Sequence, residues 1–248
     1  MDLHSTIAAL PPVIAHRGAS GSAPENTAPA IELAAAMGVR AVELDVMLCG
    51  DNAPVIFHDR KLQRTTDGEG RVSEASLAEI QALDAGSWFA PEFAGARVPG
   101  LEEVLELVSG LGMGLNLEIK PARGQERETA LTAAATLDRC WPGTLPLLIS
   151  SSSETALEVM AGLPGHPALG LISGAVPRDW RARLERLDCV SLHAAQAKLS
   201  TAQAEAIRRA GFGLLAHTVN DPARAREMFQ MGINGIFTDH PERMDTLC

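Results

Sequence analysis

Glu43 and Asp45 lie two residues apart in Ala41-Val42-Glu43-Leu44-Asp45-Val46, and further polar groups alternate in Leu115-Asn116-Leu117-Glu118-Ile119-Lys120. Successive side chains of an extended strand point to opposite faces. Glu43 and Asp45 therefore share one face, and Asn116, Glu118 and Lys120 share another, each backed by aliphatic residues. Three carboxylates brought together raise one another's pKa unless a counter-charge joins them. Lys120 supplies part of that charge. One divalent cation, Mg²⁺ or Ca²⁺, is a second source, because hard oxygen donors suit those ions while zinc prefers His or Cys. A salt-bridged interior without metal fits the same residues, and residue types alone leave both readings open.

Two histidines stand at the ends of other apolar runs, in His16-Arg17-Gly18 and His58-Asp59. Their near-neutral titration suits one to act as base and the other as acid. Arg17 offers a planar fork matched to phosphate oxygens. A cation, paired histidines, Arg17 and Lys120 together describe a site for a phosphoester, where charge stabilisation does most of the chemistry.

Positioning these groups requires a repeating scaffold. Short apolar runs at Val13–His16, Ala41–Leu48, Leu115–Ile119, Leu147–Ser150, Leu169–Ile172, Cys189–His193, Gly213–Val219 and Gly235–Thr238 alternate with helical stretches. Leu101, Val104, Leu105 and Val108 mark one face of such a helix. Ser151 with Glu154, and Ser200 with Gln203, have capping-box spacing. Gly38, Gly112, Gly211 and Gly232 fall where helices should stop. Eight βα units in 248 residues predict a single TIM (β/α)8 barrel over 1–248 rather than a doubly wound sheet, whose glycine-rich nucleotide fingerprint is missing. The aliphatic strand faces must pack on helices, so the polar faces look into the barrel at its C-terminal mouth.

The rhythm breaks after the second strand. Residues 47–100 read as a hairpin, with Val55–His58 returning to bring His58 beside Glu43, followed by a lobe without a simple helix lying over the mouth. Insertions of this length in a compact domain are usually functional or disordered. Functional is the expectation here, with Trp88 and Phe89 as candidates to line the mouth.

The chain carries 31 acidic and 21 basic residues, net −10, with 4% aromatics. It has no basic run, which excludes a typical nucleic-acid binder. No apolar stretch reaches the roughly 18 residues of a spanning helix. The opening Met1-Asp2-Leu3-His4-Ser5 lacks signal-peptide character, and Cys49, Cys140, Cys189 and Cys248 form no CxxC. These features predict a cytoplasmic location with reduced, mostly buried thiols.

The ordered motifs Ala15-His16-Arg17-Gly18, Ala23-Pro24-Glu25-Asn26-Thr27, Glu43-Leu44-Asp45-Val46, Phe57-His58-Asp59, Asn116-Leu117-Glu118-Ile119-Lys120, Asp84-Ala85-Gly86-Ser87-Trp88 and Phe237-Thr238-Asp239 resemble the glycerophosphodiester phosphodiesterase family. The resemblance runs from about Val13 to Asp239. It implies a TIM barrel with a small insertion after the second strand. It also implies metal-dependent hydrolysis of diesters such as glycerophosphocholine or glycerophosphoethanolamine to glycerol 3-phosphate and an alcohol. Carried over by motif, Glu43, Asp45 and Glu118 are the metal ligands, His16 and His58 the acid–base pair, and Arg17 and Lys120 the phosphate-binding groups. Family members often place an aromatic residue before Thr-Val-Asn on the penultimate strand, where this chain has His217-Thr218-Val219-Asn220. His217 and His193 are therefore further candidates to line the substrate. His4, His166 and His240 carry no site logic and read as solvated, and Ser150–Ser153 reads as a helix cap. A cyclising phospholipase-C-like phosphodiesterase and a catalytically silent diester-binding barrel are the competing readings. The intact set of two histidines and three carboxylates speaks against the silent binder.

Overall fold

Eight parallel strands close on themselves in a computed structural model that describes residues 9–244. They are β1 (Val13–His16), β2 (Ala41–Leu48), β4 (Gly114–Ile119), β5 (Leu147–Ser151), β6 (Ala168–Ser173), β7 (Cys189–Ala195), β8 (Gly213–His217) and β9 (Gly235–Thr238). Neighbours pair in chain order round the ring, and β1 closes it by pairing with both β2 and β9. The short β3 (Pro54–Ile56) is antiparallel to the end of β2. Helices α1 (Ala28–Ala36) and α3 to α8 (Leu101–Gly110, Glu126–Cys140, Glu154–Ala161, Trp180–Arg186, Thr201–Arg209 and Pro222–Gln230) connect the strands, while α2 (Leu77–Gln81) belongs to the insertion. This is the TIM barrel expected from the alternation.

Strand alternation divides the core into layers. Outward residues such as Val42, Leu44, Leu115, Leu117, Ile149 and Leu192 join one large cluster with the helices. Inward residues Ile14, Ala41, Leu148, Ala168, Val190, Leu215 and Phe237 make a separate apolar plug inside the barrel. One step further along the strands the inward side chains turn polar: Glu43, Asn116, Ser150, Ser191 and His193 are all buried. The apolar plug seals the N-terminal end, so the polar groups face only the C-terminal mouth. Leu117 is fully buried between sheet and helices. Truncating it to Ala is expected to destabilise the fold by about 2–5 kcal/mol, because the cavity left behind cannot fully collapse. Urea unfolding measures this, and an unchanged midpoint would contradict the layer assignment.

Several local expectations need correction. Ser151 is not a helix cap: it ends β5, where its hydroxyl donates to the Ile119 carbonyl at 2.6 Å. Ser153 caps α5 instead, accepting from Ala156 N at 3.2 Å. The Ser200–Gln203 capping box does form. Gly38, Gly112, Gly211 and Gly232 do follow helices, each with positive φ. β8 stops at His217, two residues before Val219.

The hairpin is shorter than expected, since β3 ends at Ile56, although Phe57 N still donates to Asp45 O at 2.9 Å. His58 thus follows directly on the last hydrogen-bonded residue. The lobe after it contains the five-residue α2, capped by Ser76 and Glu79 in a capping box. It has its own apolar core, in which Phe57, Leu62, Val72, Ile80, Ala85 and Val98 pack against Met47 and Val55 of the hairpin. His166 and His240 are half-buried with carboxylate partners rather than solvated. Cys49 and Cys189 are buried and Cys140 half-buried, all three free. His4 and Cys248 lie outside the described residues.

Candidate active site

A cavity of about 300 Å³ opens at the C-terminal mouth, and its wall includes His16, Arg17, Glu43, His58, Glu118 and Lys120. β1 ends in His16. The chain then turns sharply through Arg17 and Gly18, at φ 59° and 81°. A Cβ on Gly18 would sit 2.6 Å from the Ala30 carbonyl carbon, so only glycine fits against α1 there. The turn holds Arg17 in the left-handed region that non-glycine residues seldom occupy, and Arg17 N donates to Glu43 O at 2.8 Å.

Glu43, Asp45 and Glu118 each offer an oxygen, and these oxygens all lie within 4.8 Å of one another. β2 and β4 run in register, pairing Asp45 with Glu118, which produces the cluster. Lys120 Nζ lies 3.2 Å from Glu118 and 3.7 Å from Asp45. Arg17 Nε lies 3.3 Å from Asp45 Oδ2. Burial first, and then the charges of Asp45 and Glu118, hold the Glu43 carboxyl well above the ordinary carboxylate range. Glu118 is pushed up to about 7, by burial and then by Asp45. Two cationic side chains therefore do not balance the cluster. Glu43 Oε1 is buried without a hydrogen-bond partner. An orphaned carboxylate oxygen within an all-oxygen donor set fits a hard divalent cation.

Each histidine is held by a carboxylate. His16 Nδ1 lies 2.6 Å from Asp239 Oδ1, and His58 Nδ1 lies 2.5 Å from Asp59 Oδ1. Burial would raise the Asp239 pKa, but hydrogen bonds from His16 and Asn220 outweigh it and hold Asp239 below its usual range. Asp59 is likewise lowered, first by its bond from Arg64. Ionised carboxylates only accept hydrogen bonds, so both Nδ1 atoms carry protons and both Nε2 atoms are left for other work. His16 Nε2 faces Glu43 Oε2 at 3.8 Å. Burial lowers the His58 pKa.

The model of the glycerophosphoryl diester phosphodiesterase family matches residues 16–243. The chain belongs to that family. Curated relatives include a glycerophosphodiester phosphodiesterase from Caldanaerobacter subterraneus subsp. tengcongensis, 34% identical with 95% of this chain and 96% of that protein covered. Another, from Bacillus subtilis, is 32% identical, with coverage of 92% and 83%. Among solved structures, an Oleispira antarctica phosphodiesterase in complex with its product sn-glycerol-3-phosphate is 44% identical, with a TM-score of 0.95 and coverage of 97% and 98%. A Silicibacter pomeroyi structure described as a putative glycerophosphoryl diester phosphodiesterase is 26% identical, with a TM-score of 0.85 and coverage of 96% and 93%. As a glycerophosphodiester phosphodiesterase, the chain is an enzyme.

The same cavity gathers two further sequence candidates of this phosphodiesterase. His217 and His193 line it together with Ile172 and Phe237. His193 is buried beside Phe237, with ring centroids 5.3 Å apart, and Nε2 lies 3.1 Å from Ser191 Oγ. Burial pushes its pKa down to about 3, keeping the imidazole neutral. Trp88 is not brought in. It is 40% exposed, stacks edge-on against Phe89 and donates to Ala85 O within the lobe, and it is not among the residues that line the cavity. Sequence reasoning assigned no role to Asp239, Asp59, Glu25, Asn26 or Arg64, all of which hold site residues in place. Asn26 Nδ2 donates to Asp45 Oδ2 at 2.9 Å. Glu25 accepts from Arg17 Nη1 at 2.7 Å. Glu25, Asn26, Asp59 and Asp239 sit inside the motifs that carry the family resemblance, which was the available signal.

Proposed function

We propose that this enzyme hydrolyses glycerophosphodiesters, such as glycerophosphocholine or glycerophosphoethanolamine, to glycerol 3-phosphate and an alcohol with the help of one divalent cation. The observation that carries this is the meeting, at one cavity, of a cluster of three carboxylates, two of them lining it, with two carboxylate-held histidines and two phosphate-seeking cations. Glu43, Asp45 and Glu118 would hold Mg²⁺ or Ca²⁺, which when bound supplies positive charge to a phosphoryl oxygen. Arg17 and Lys120 orient the phosphate and stabilise charge that builds on it in the transition state. One imidazole, through its free Nε2, accepts the proton of the attacking hydroxyl. The other, protonated, delivers a proton to the leaving alcohol oxygen. Asp239 and Asp59 keep both rings in the tautomer that these transfers need. His193 and His217 border the organic part of the substrate.

No helix among the described residues is long and apolar enough to cross a membrane. Cytoplasmic action on small water-soluble diesters belongs to the same proposal, supported by the free thiols, as does the single-domain reading of 1–248 with 47–100 as its insertion.

The test is coupled glycerol 3-phosphate release from glycerophosphocholine. EDTA-treated protein is expected to be inactive and to recover with Mg²⁺ or Ca²⁺. Full activity after chelation would remove the cation from the reading. A cyclic phosphate as the final product in phosphorus NMR would replace hydrolysis with cyclisation.

A further inference from the structure

We propose that Arg64, in the insertion lobe, is a positioning residue that sets His58 and Arg17 at once; this rests on the roles given to those two above. Its guanidinium bridges two carboxylates. Nε and Nη2 donate to Asp59 at 2.6 and 3.1 Å, and Nη1 and Nη2 donate to Glu25 at 2.7 and 2.8 Å. Glu25 in turn accepts from Arg17 Nη1 at 2.7 Å, and Asp59 meets His58 Nδ1 at 2.5 Å. An unbroken chain Arg17–Glu25–Arg64–Asp59–His58 thus links the turn after β1, the hairpin and the lobe.

The backbone around Arg64 is anchored in the lobe. Leu62 is buried in the lobe core, Thr66 Oγ1 donates to Leu62 O at 2.8 Å, and Gly68 N donates to Thr66 Oγ1 at 3.1 Å. Asp67 N adds a bond to Asp84 O at 3.1 Å. The lobe's own packing therefore places the fork, and the fork places the two carboxylates. Asp59 has no other basic partner than Arg64 and His58 among the described ion pairs. Without Arg64 it can swing with His58 rather than hold it. Glu25 keeps Arg17, so the effect there is smaller.

The geometry argues for positioning over stability. The Arg64 side chain is 43% exposed, and ion pairs so open to water contribute little to folding. A fork that makes four hydrogen bonds to two carboxylates nevertheless fixes orientation in a way that a point charge such as Lys does not. On this reading the insertion completes the site and does not merely roof it.

Arg64→Ala is expected to lower kcat about 10–100-fold, the usual cost of losing a group that orients a reacting side chain. KM should rise less, and the thermal unfolding transition should stay near wild type. Arg64→Lys should fall between the two. Added guanidinium should restore part of the Arg64→Ala activity where ammonium does not. Independently of turnover, the His58 Nδ1 proton should give a sharp downfield NMR signal in wild type and broaden in Arg64→Ala. Wild-type turnover in Arg64→Ala, or an unchanged His58 signal, overturns the proposal. So does a loss of activity that merely follows a loss of cooperative unfolding and resists guanidinium. Failure of the broader functional reading looks different: wild type itself would then release no glycerol 3-phosphate, while the His58 signal would still report whether Arg64 positions the ring.

Discussion

His16→Ala is expected to reduce kcat about 10²–10⁴-fold, the range attributable to a positioned proton-transfer group, while cation binding and the unfolding midpoint stay near wild type. The imidazole has a single demand on it from the scaffold, the Asp239 carboxylate 2.6 Å from Nδ1. Asp239 is itself fixed by Asn220 Nδ2 at 2.7 Å and Ser20 Oγ at 3.1 Å. This anchoring keeps Nδ1 protonated and turns Nε2 toward the carboxylate cluster, where it lies 3.8 Å from Glu43. On the proposed reading, removing the ring deletes a proton carrier but no cation ligand and little buried apolar surface, so turnover and cation affinity should separate. Asp239→Asn should cost less than His16→Ala, because an amide keeps a hydrogen bond but no longer stabilises the imidazolium. Glycerol 3-phosphate release alongside cation titration calorimetry measures both quantities. Near wild-type turnover in His16→Ala would remove the residue from proton transfer, and loss of cation binding would recast it as a ligand.

The barrel and its carboxylates were legible because both are written locally. Alternation within Ala41–Leu48 and Gly114–Ile119 sorts side chains by face, and parallel pairing of those two strands brings Asp45 opposite Glu118. The holders of the histidines were not legible in the same way. Asp239 meets His16 across 223 residues of chain, and no periodicity connects them; only closure of β1 against β9 does. Arg64 meets Glu25 across 39 residues through a lobe whose fold has no simple repeat. Trp88 is the opposite case. A large aromatic in an insertion near a mouth invites a lining role, yet its indole N–H is satisfied by Ala85 O at 2.8 Å and its ring by Phe89. The shift of the α5 cap from Ser151 to Ser153 has a similar origin. Four consecutive serines offer several caps, and the strand claims Ser151 first through the Ile119 carbonyl.

Glu43→Ala is expected to abolish cation binding and activity together, and wild-type affinity for the cation is expected to rise with pH. Both follow from the charge balance of the cluster. Burial first, then the charges of Asp45 and Glu118, raise the Glu43 pKa against the opposing pull of Arg17 and Lys120, so its ionised form is disfavoured relative to a free carboxylate. Glu118 titrates at about 7 under the same influences. Before a cation binds near neutral pH, the cluster therefore holds protons that the unfolded chain would have released. Binding must displace them, because only carboxylates serve as ligands. The sign is fixed by this displacement. As pH rises, each carboxyl that must lose a proton on binding strengthens affinity by up to about tenfold per pH unit. The Glu118 share of that gain levels off above about pH 7, once Glu118 is already ionised. Titration calorimetry at several pH values, in buffers of different ionisation enthalpy, reads both the affinity and the protons released. Affinity independent of pH, with no protons released, would mean that the carboxylates are already ionised and balanced by Arg17 and Lys120 alone. In Glu43→Ala the orphaned Oε1 and its partner oxygen are both gone, and Asp45 with Glu118 is left paired to Lys120 at 3.7 and 3.2 Å. Arg17 Nε also lies 3.3 Å from Asp45, so two cationic side chains then face two carboxylates, a salt-bridged cluster rather than a cation site. On the proposed reading, cation binding and turnover should disappear in the same variant.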